Sequence, residues 1–127
     1  MTGGGEKLWQ VANEAGAPLF AVPSGQAVTL QDVFWEEGDE LILRARFLAP
    51  QIARDGGSVD YDTAAQDMLH LCQTYILPQL TDGADLPDQV ILSLSDREVP
   101  FGEADPEATQ FFEAYQIQDG ACIWETY

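Results

Sequence analysis

Residues 41–48 alternate with a period of two, and that alternation constrains the fold more tightly than any other feature. Leu41, Leu43, Ala45 and Phe47 fall on one side of an extended chain, and Ile42, Arg44, Arg46 and Leu48 on the other. Only the first set is wholly apolar. The spacing therefore predicts a strand with one face in a core and the other carrying two arginines framed by aliphatic ends. Upstream, residues 28–35 are rich in β-branched and aromatic side chains. Glu36-Glu37-Gly38-Asp39 between the two stretches supplies a turn with a glycine, so the pair reads as a β-hairpin.

Further along, the period changes. A helix is expected from about Asp62, whose carboxylate would cap the first turn. Ala65, Met68, Leu69, Cys72, Tyr75 and Ile76 recur at three- and four-residue steps and form its apolar stripe. Pro78 lacks an N–H and disfavours helix at Leu77, so the helix should end or kink there. Residues 90–95 read as a strand with Val90, Leu92 and Leu94 on one face. Asp105-Pro106-Glu107 has the composition of a short helix start. Residues 111–118 and 121–127, joined by Asp119-Gly120, read as a second hairpin. Strand, strand, helix, strand, hairpin is not an alternating βαβ series. The expectation is an α+β fold: an antiparallel sheet of about five strands with one main helix packed on one face. Residues 1–17, rich in Gly and Ala, read as a flexible arm before a single domain at 18–127.

The chain carries 22 acidic and 5 basic residues over 127 positions, a net charge of −17. The acids are spread along its length, as in a solvated shell over a folded core. Lys7, Arg44, Arg46, Arg54 and Arg97 form no cluster, which excludes nucleic acid as a partner and disfavours anionic membranes. No apolar stretch approaches the roughly 18 residues that cross a bilayer, so no membrane insertion is expected. A basic protein is the partner that such charge would attract, and the oligomeric state is left open. Met1-Thr2-Gly3-Gly4-Gly5 shows no basic or apolar leader segment. A cytoplasmic location and export with a leader removed both remain open.

No catalytic set, metal motif or cofactor fingerprint is present, and no cofactor is expected. His70 is the sole histidine. Asp67 could orient it, but no nucleophile stands beside it. Asp82, Asp85 and Asp88 around Gly83, and Glu103, Asp105 and Glu107, lack the spacing of a calcium loop and read as turn and cap residues. Arg44 and Arg46, with Arg97, could form an anion or partner contact. Their alternative is to pair with cross-strand acids such as Asp32 or Glu36. Trp35, Phe111, Phe112, Tyr115 and Trp124 fall on strands, and an exposed aromatic patch among them would argue for a protein partner. Cys72, in the helix stripe, and Cys122, on the last strand, are either a bridge or two buried thiols.

Several segments resemble one family: Val22-Pro23-Ser24-Gly25-Gln26, Arg46-Phe47-Leu48-Ala49-Pro50, Met68-Leu69-His70-Leu71-Cys72, and Ser95-Asp96-Arg97 with Phe101-Gly102. Most specific are Asp105-Pro106-Glu107-Ala108-Thr109-Gln110-Phe111-Phe112-Glu113-Ala114-Tyr115 and Asp119-Gly120-Ala121-Cys122-Ile123-Trp124-Glu125. Over residues 18–127 the chain is similar to a family of small alphaproteobacterial proteins of unknown function, many of which begin with a secretory leader. The resemblance implies a periplasmic location, and with it a Cys72–Cys122 disulfide. It implies no activity. Three readings follow: a small non-enzymatic periplasmic interaction or binding protein; a small-ligand binder or enzyme with a pocket between helix and sheet, using His70, Asp67, Arg44, Arg46 and Arg97; and a cytoplasmic, dimeric, acidic chaperone-like protein.

Overall fold

The computed structural model describes residues 20–53, 56–80 and 86–125. The arm expected at 1–17 and residues 81–85, with Asp82 and Asp85, lie outside the described residues. Strands β1 (Thr29–Glu37) and β2 (Leu41–Leu48) form the first hairpin. A 3₁₀ turn, Pro50–Ile52, leads towards helix α1 (Tyr61–Leu71). A π-helical turn, Cys72–Ile76, joins α1 to α2 (Leu77–Leu80). Strands β3 (Gln89–Ser95), β4 (Gln110–Gln118) and β5 (Ala121–Trp124) complete a five-stranded sheet in the order β1-β2-β3-β4-β5.

The sheet is mixed, not antiparallel throughout. β2 and β3 run parallel, from Ile42 opposite Gln89 to Leu48 opposite Ser95, while the other three pairings are antiparallel. A parallel pair needs a long crossover, and the helical segment between β2 and β3 supplies it. Val90-Ile91-Leu92 is an unbroken apolar run, as expected of a strand with neighbours on both sides and cover on both faces. Asp88 fixes the start of this pairing, because its carboxylate accepts from Leu41 N at 2.7 Å and its own N–H donates to Leu41 O at 2.7 Å. It acts as a cap on the strand pairing.

Alternation along β2 sorts the residues as its pattern requires. Leu43, Ala45 and Phe47 join Val90, Leu92, Leu94 and Tyr115 in one buried cluster with Ala64, Met68, Leu71, Cys72 and Ile76 of the helical segment. Phe20 stands edge-on to both Phe47 and Tyr75, with ring centroids 5.4 and 4.7 Å away. Cys72 and Cys122 stand at disulfide distance with Cα atoms 6.3 Å apart, and Gln73 Oε1 accepts from Cys122 N at 2.9 Å.

The helix departs from its expected form in its cap and in its buried side. Its N-cap is Asp60, whose side chain accepts from Thr63 N, and Asp62 sits in the first turn. The Thr63 N–H holds the Asp60 carboxyl below the usual range. Of the expected stripe, Met68, Cys72 and Ile76 are buried and Leu69 and Tyr75 pack against the core, but Ala64, Asp67 and Leu71 are buried as well and Ala65 is only half-buried. Pro78 does not end the helix. The Leu77 N–H reaches back five residues to Cys72 O, so the wider π turn immediately precedes the proline. Asp105-Pro106-Glu107 forms a single turn, with Ala108 N donating to Asp105 O at 3.0 Å.

Asp67 explains the wider buried side. Its carboxylate is fully buried, and among the described residues it accepts from Ser24 N at 3.0 Å, Ser24 Oγ at 2.5 Å and Gln26 Nε2 at 2.7 Å. The Val22–Gln26 turn is thereby fastened to the middle of α1, and charge-assisted bonds offset the desolvation of the carboxylate. Truncation would orphan those donors. Asp67→Ala is expected to lower stability by about 3 kcal/mol, read as a fall in the urea midpoint with an unchanged slope.

Glu113 is the other ill-fitting acid. It pairs with Leu92 in the β3–β4 register, and burial raises its pKa. Burial also raises the Tyr115 phenol, and the charge on Glu113 adds to that. A carboxyl whose pKa rises on folding binds protons more tightly in the native state, so it opposes folding as pH climbs through that pKa. Glu113→Gln should therefore raise the urea midpoint at neutral pH, and the gain should vanish below the pKa of an unfolded glutamate, about 4.3.

Candidate functional site

The face of the sheet that carries Arg44 and Arg46 lies opposite the side chains that join the helix in the buried cluster. Register places Phe34 beside Arg44 and Asp32 beside Arg46 on one flank, and Ile91 and Ser93 on the other. Phe112 follows beyond Ser93, and Ala114 beyond Ile91. This face is crossed by the connection from β3 to β4.

That connection is closed at its base and pinned at its middle. Asp96 N donates to Thr109 O at 3.0 Å, and Thr109 N donates to Asp96 Oδ1 at 2.9 Å. Burial works against ionisation of Asp96, but the Thr109 N–H and the Arg97 guanidinium outweigh it and hold the carboxyl below its usual range. Val99 O accepts from Arg46 Nη2 at 3.0 Å and from Gln31 Nε2 at 3.1 Å. Gln31 is free to reach it because the β1–β2 register slips between Leu30 and Asp32. Next comes a tight turn in which Glu103 N donates to Pro100 O at 3.1 Å and Gly102 takes φ +85°. A side chain at Gly102 would strain that conformation. The turn sets Phe101 over the arginines.

Arg44 Nε donates to Glu36 Oε1 at 2.6 Å. Arg46 makes a two-pronged pair with Asp32, Nε to Oδ1 at 2.8 Å and Nη2 to Oδ2 at 3.1 Å. Both guanidinium carbons lie under the Phe101 ring, 5.1 and 5.5 Å from its centroid, and Phe34 meets the same ring edge-on at 4.9 Å. The arginines thus pair with the cross-strand acids and also hold up an aromatic loop. The loop tip stays open: Phe101 is 49% exposed and Phe112 53% exposed.

Arg97 does not join them. It pairs with Asp96 at 3.3 Å and is absent from the walls of the cavity beneath Phe101. Asp67 is taken by Ser24 and Gln26, and the His70 carbonyl accepts from Thr74 Oγ1 at 2.8 Å. The set His70, Asp67, Arg44, Arg46 and Arg97 therefore does not share one cleft. Among the described residues, no group of three His, Cys, Asp or Glu side chains is placed to hold a metal ion, and no helix is long and apolar enough to cross a membrane. Of the strand aromatics, Tyr115 is buried, Trp35 and Phe111 pack against the core, and Phe112 and Trp124 are exposed. Phe101, in a loop between strands, was not among the residues that the sequence singled out for a site; only the adjoining Pro100 and Gly102 mark its turn.

A second concavity, about 740 Å³, runs between residues 57–63 and 108–112, with Tyr61 edge-on to Phe111 at 5.1 Å. It is wide, shallow and without convergent charged groups.

The Arg46–Asp32 pair is two-pronged and backed by Val99, so it should couple more strongly than an ordinary surface pair. A double-mutant cycle with Arg46→Met and Asp32→Ala is expected to return a coupling of about 1 kcal/mol, and Arg46→Met alone should increase hydrogen exchange through residues 97–103.

The model of a family of unknown function (DUF6497) matches residues 5–127 of the chain. No curated protein and no solved structure matches it.

Proposed function

We propose, for a chain that belongs to this family of unknown function, a non-enzymatic binding role in the periplasm. In this reading the helix covers one face of the sheet, a Cys72–Cys122 bridge ties it to β5, and the opposite face, around Phe101 and Phe112, meets a basic protein.

The observation that carries the reading is the exposure of Phe101 and Phe112 on one side of the molecule, with Ile123 also exposed on the Phe112 side of the sheet. Leaving a phenylalanine in water forgoes about 1.5–3 kcal/mol of burial. Contiguous exposure of this kind marks contact surfaces. The net charge of −17 opposes association of two like copies and favours a cationic partner. Two facts support an oxidising compartment: the cysteines stand at disulfide distance, and a bridge between them closes a loop of 50 residues, which stabilises by about 4 kcal/mol. The enzyme reading loses support because His70, Asp67 and Arg97 stand apart from Arg44 and Arg46.

A photo-crosslinking residue placed at Phe112, and separately at the exposed Gln66 on the helix, tests the assignment in living cells. A discrete adduct with a basic protein is expected from position 112 and not from 66, weakened by high salt, with both cysteines refusing alkylation before reduction. Equal adducts from both positions, no adduct from 112, or two freely alkylated thiols would overturn it.

A further inference from the structure

Beneath Phe101 the structure encloses a small cavity of about 120 Å³, between the sheet and the Val99–Glu103 segment. That is room for about four water molecules at the volume each takes in the liquid. Its walls include Arg44, Arg46, Ser93, Gln110, Phe101 and Phe112. We propose that this cavity binds the carboxylate of a small organic acid, which goes beyond the protein-contact reading and does not depend on it.

The argument begins with unspent donors. A guanidinium carries five N–H groups. Among the described residues Arg46 spends three, on Asp32 and Val99 O, which leaves two. Arg44 spends one, on Glu36, which leaves four. The second observation is Ser93. It is only 5% exposed and lines the cavity beside the two arginines. A hydroxyl in that wall can donate to a ligand oxygen.

The chemistry of the walls selects the ligand class. Two guanidinium groups repel a cation, and both already lie under the Phe101 ring. Asp32 and Glu36 hold each arginine in place from its Nε side, so the donors are oriented before any ligand arrives. The same two acids, with Glu103 in the wall, resist a doubly charged anion. A single carboxylate matches two forked donors and a hydroxyl. The aromatic walls suit a short apolar body, and the volume excludes a large one.

The test is a titration of ¹⁵N-labelled protein with sodium propionate and sodium benzoate, against sodium chloride and propylammonium chloride at matched ionic strength. Expected are saturable shifts at Ser93, Gly102 and the Arg44 and Arg46 Nε signals with the carboxylates alone. Arg44→Gln, which leaves the Arg46–Asp32 pair and a solvated Glu36, should weaken binding about tenfold. Ser93→Ala should weaken it about fivefold with the remaining spectrum unchanged. Shifts that fail to saturate by about 100 mM, that chloride or propylammonium reproduces, or that survive in both variants would overturn the proposal. The crosslinking result at Phe112 leaves it untouched either way.

Discussion

The parallel pairing of β2 with β3 is the constraint on which the rest of the structure depends. A parallel neighbour cannot be reached by a tight turn, so the chain after Leu48 must travel the length of the sheet and return. That return is the helical segment, and its apolar residues enter one cluster with Leu43, Ala45 and Phe47. With those side chains committed to one side, Arg44 and Arg46 are committed to the other, because neighbours along a strand cannot share a face. The candidate site follows from this strand direction as much as from any residue within it.

A chain of this charge must place its few cations with care, and the described arginines are each matched to a carboxylate. The matches differ in consequence. Arg97 and Asp96 sit at the base of the β3–β4 connection, where the Asp96 carboxylate also takes the Thr109 N–H. Arg44 and Arg46 lie on the sheet face with side chains 23% and 12% exposed, and they support the Phe101 ring from below. Partial burial lowers the local dielectric, so these pairs keep donors rigidly placed where solvent-exposed pairs would fluctuate. An aromatic tip held by two paired arginines is a preorganised surface, and with Phe112 and Ile123 it places exposed apolar area on one side of the sheet.

Asp67 has the opposite role. It carries no function that the geometry supports, yet its three accepted hydrogen bonds decide how α1 is turned about its own axis. A stripe read from apolar residues alone runs through Ala65, Met68, Leu69, Cys72, Tyr75 and Ile76. Once a carboxylate with three donors becomes admissible inside, the buried side widens to Ala64 and Leu71. The partners, Ser24 and Gln26, lie more than forty positions away, so no local rule could anticipate them. The π turn ahead of Pro78 is a similar case: the proline disrupts the regular hydrogen-bond ladder, but whether the helix stops or widens depends on what Leu77 and Leu80 can bury beyond it.

The amino-acid order by itself determined the strands and the main helix, the hairpins at Gly38 and Asp119-Gly120, and the split of β2 into an apolar and an arginine-bearing face. Periodicity and turn chemistry act over a few residues, and a few residues suffice to read them. Its pattern also named the cross-strand acids Asp32 and Glu36 and the cysteines that come together. The tertiary structure alone decided that β2 and β3 run parallel, that Phe101 is carried onto the arginine face, that Ser93 is left facing a small cavity, and that Asp67 points inward. Each of these rests on partners brought together across long stretches of chain, whose meeting is set by how the whole sheet closes its core and not by the preference of any one segment.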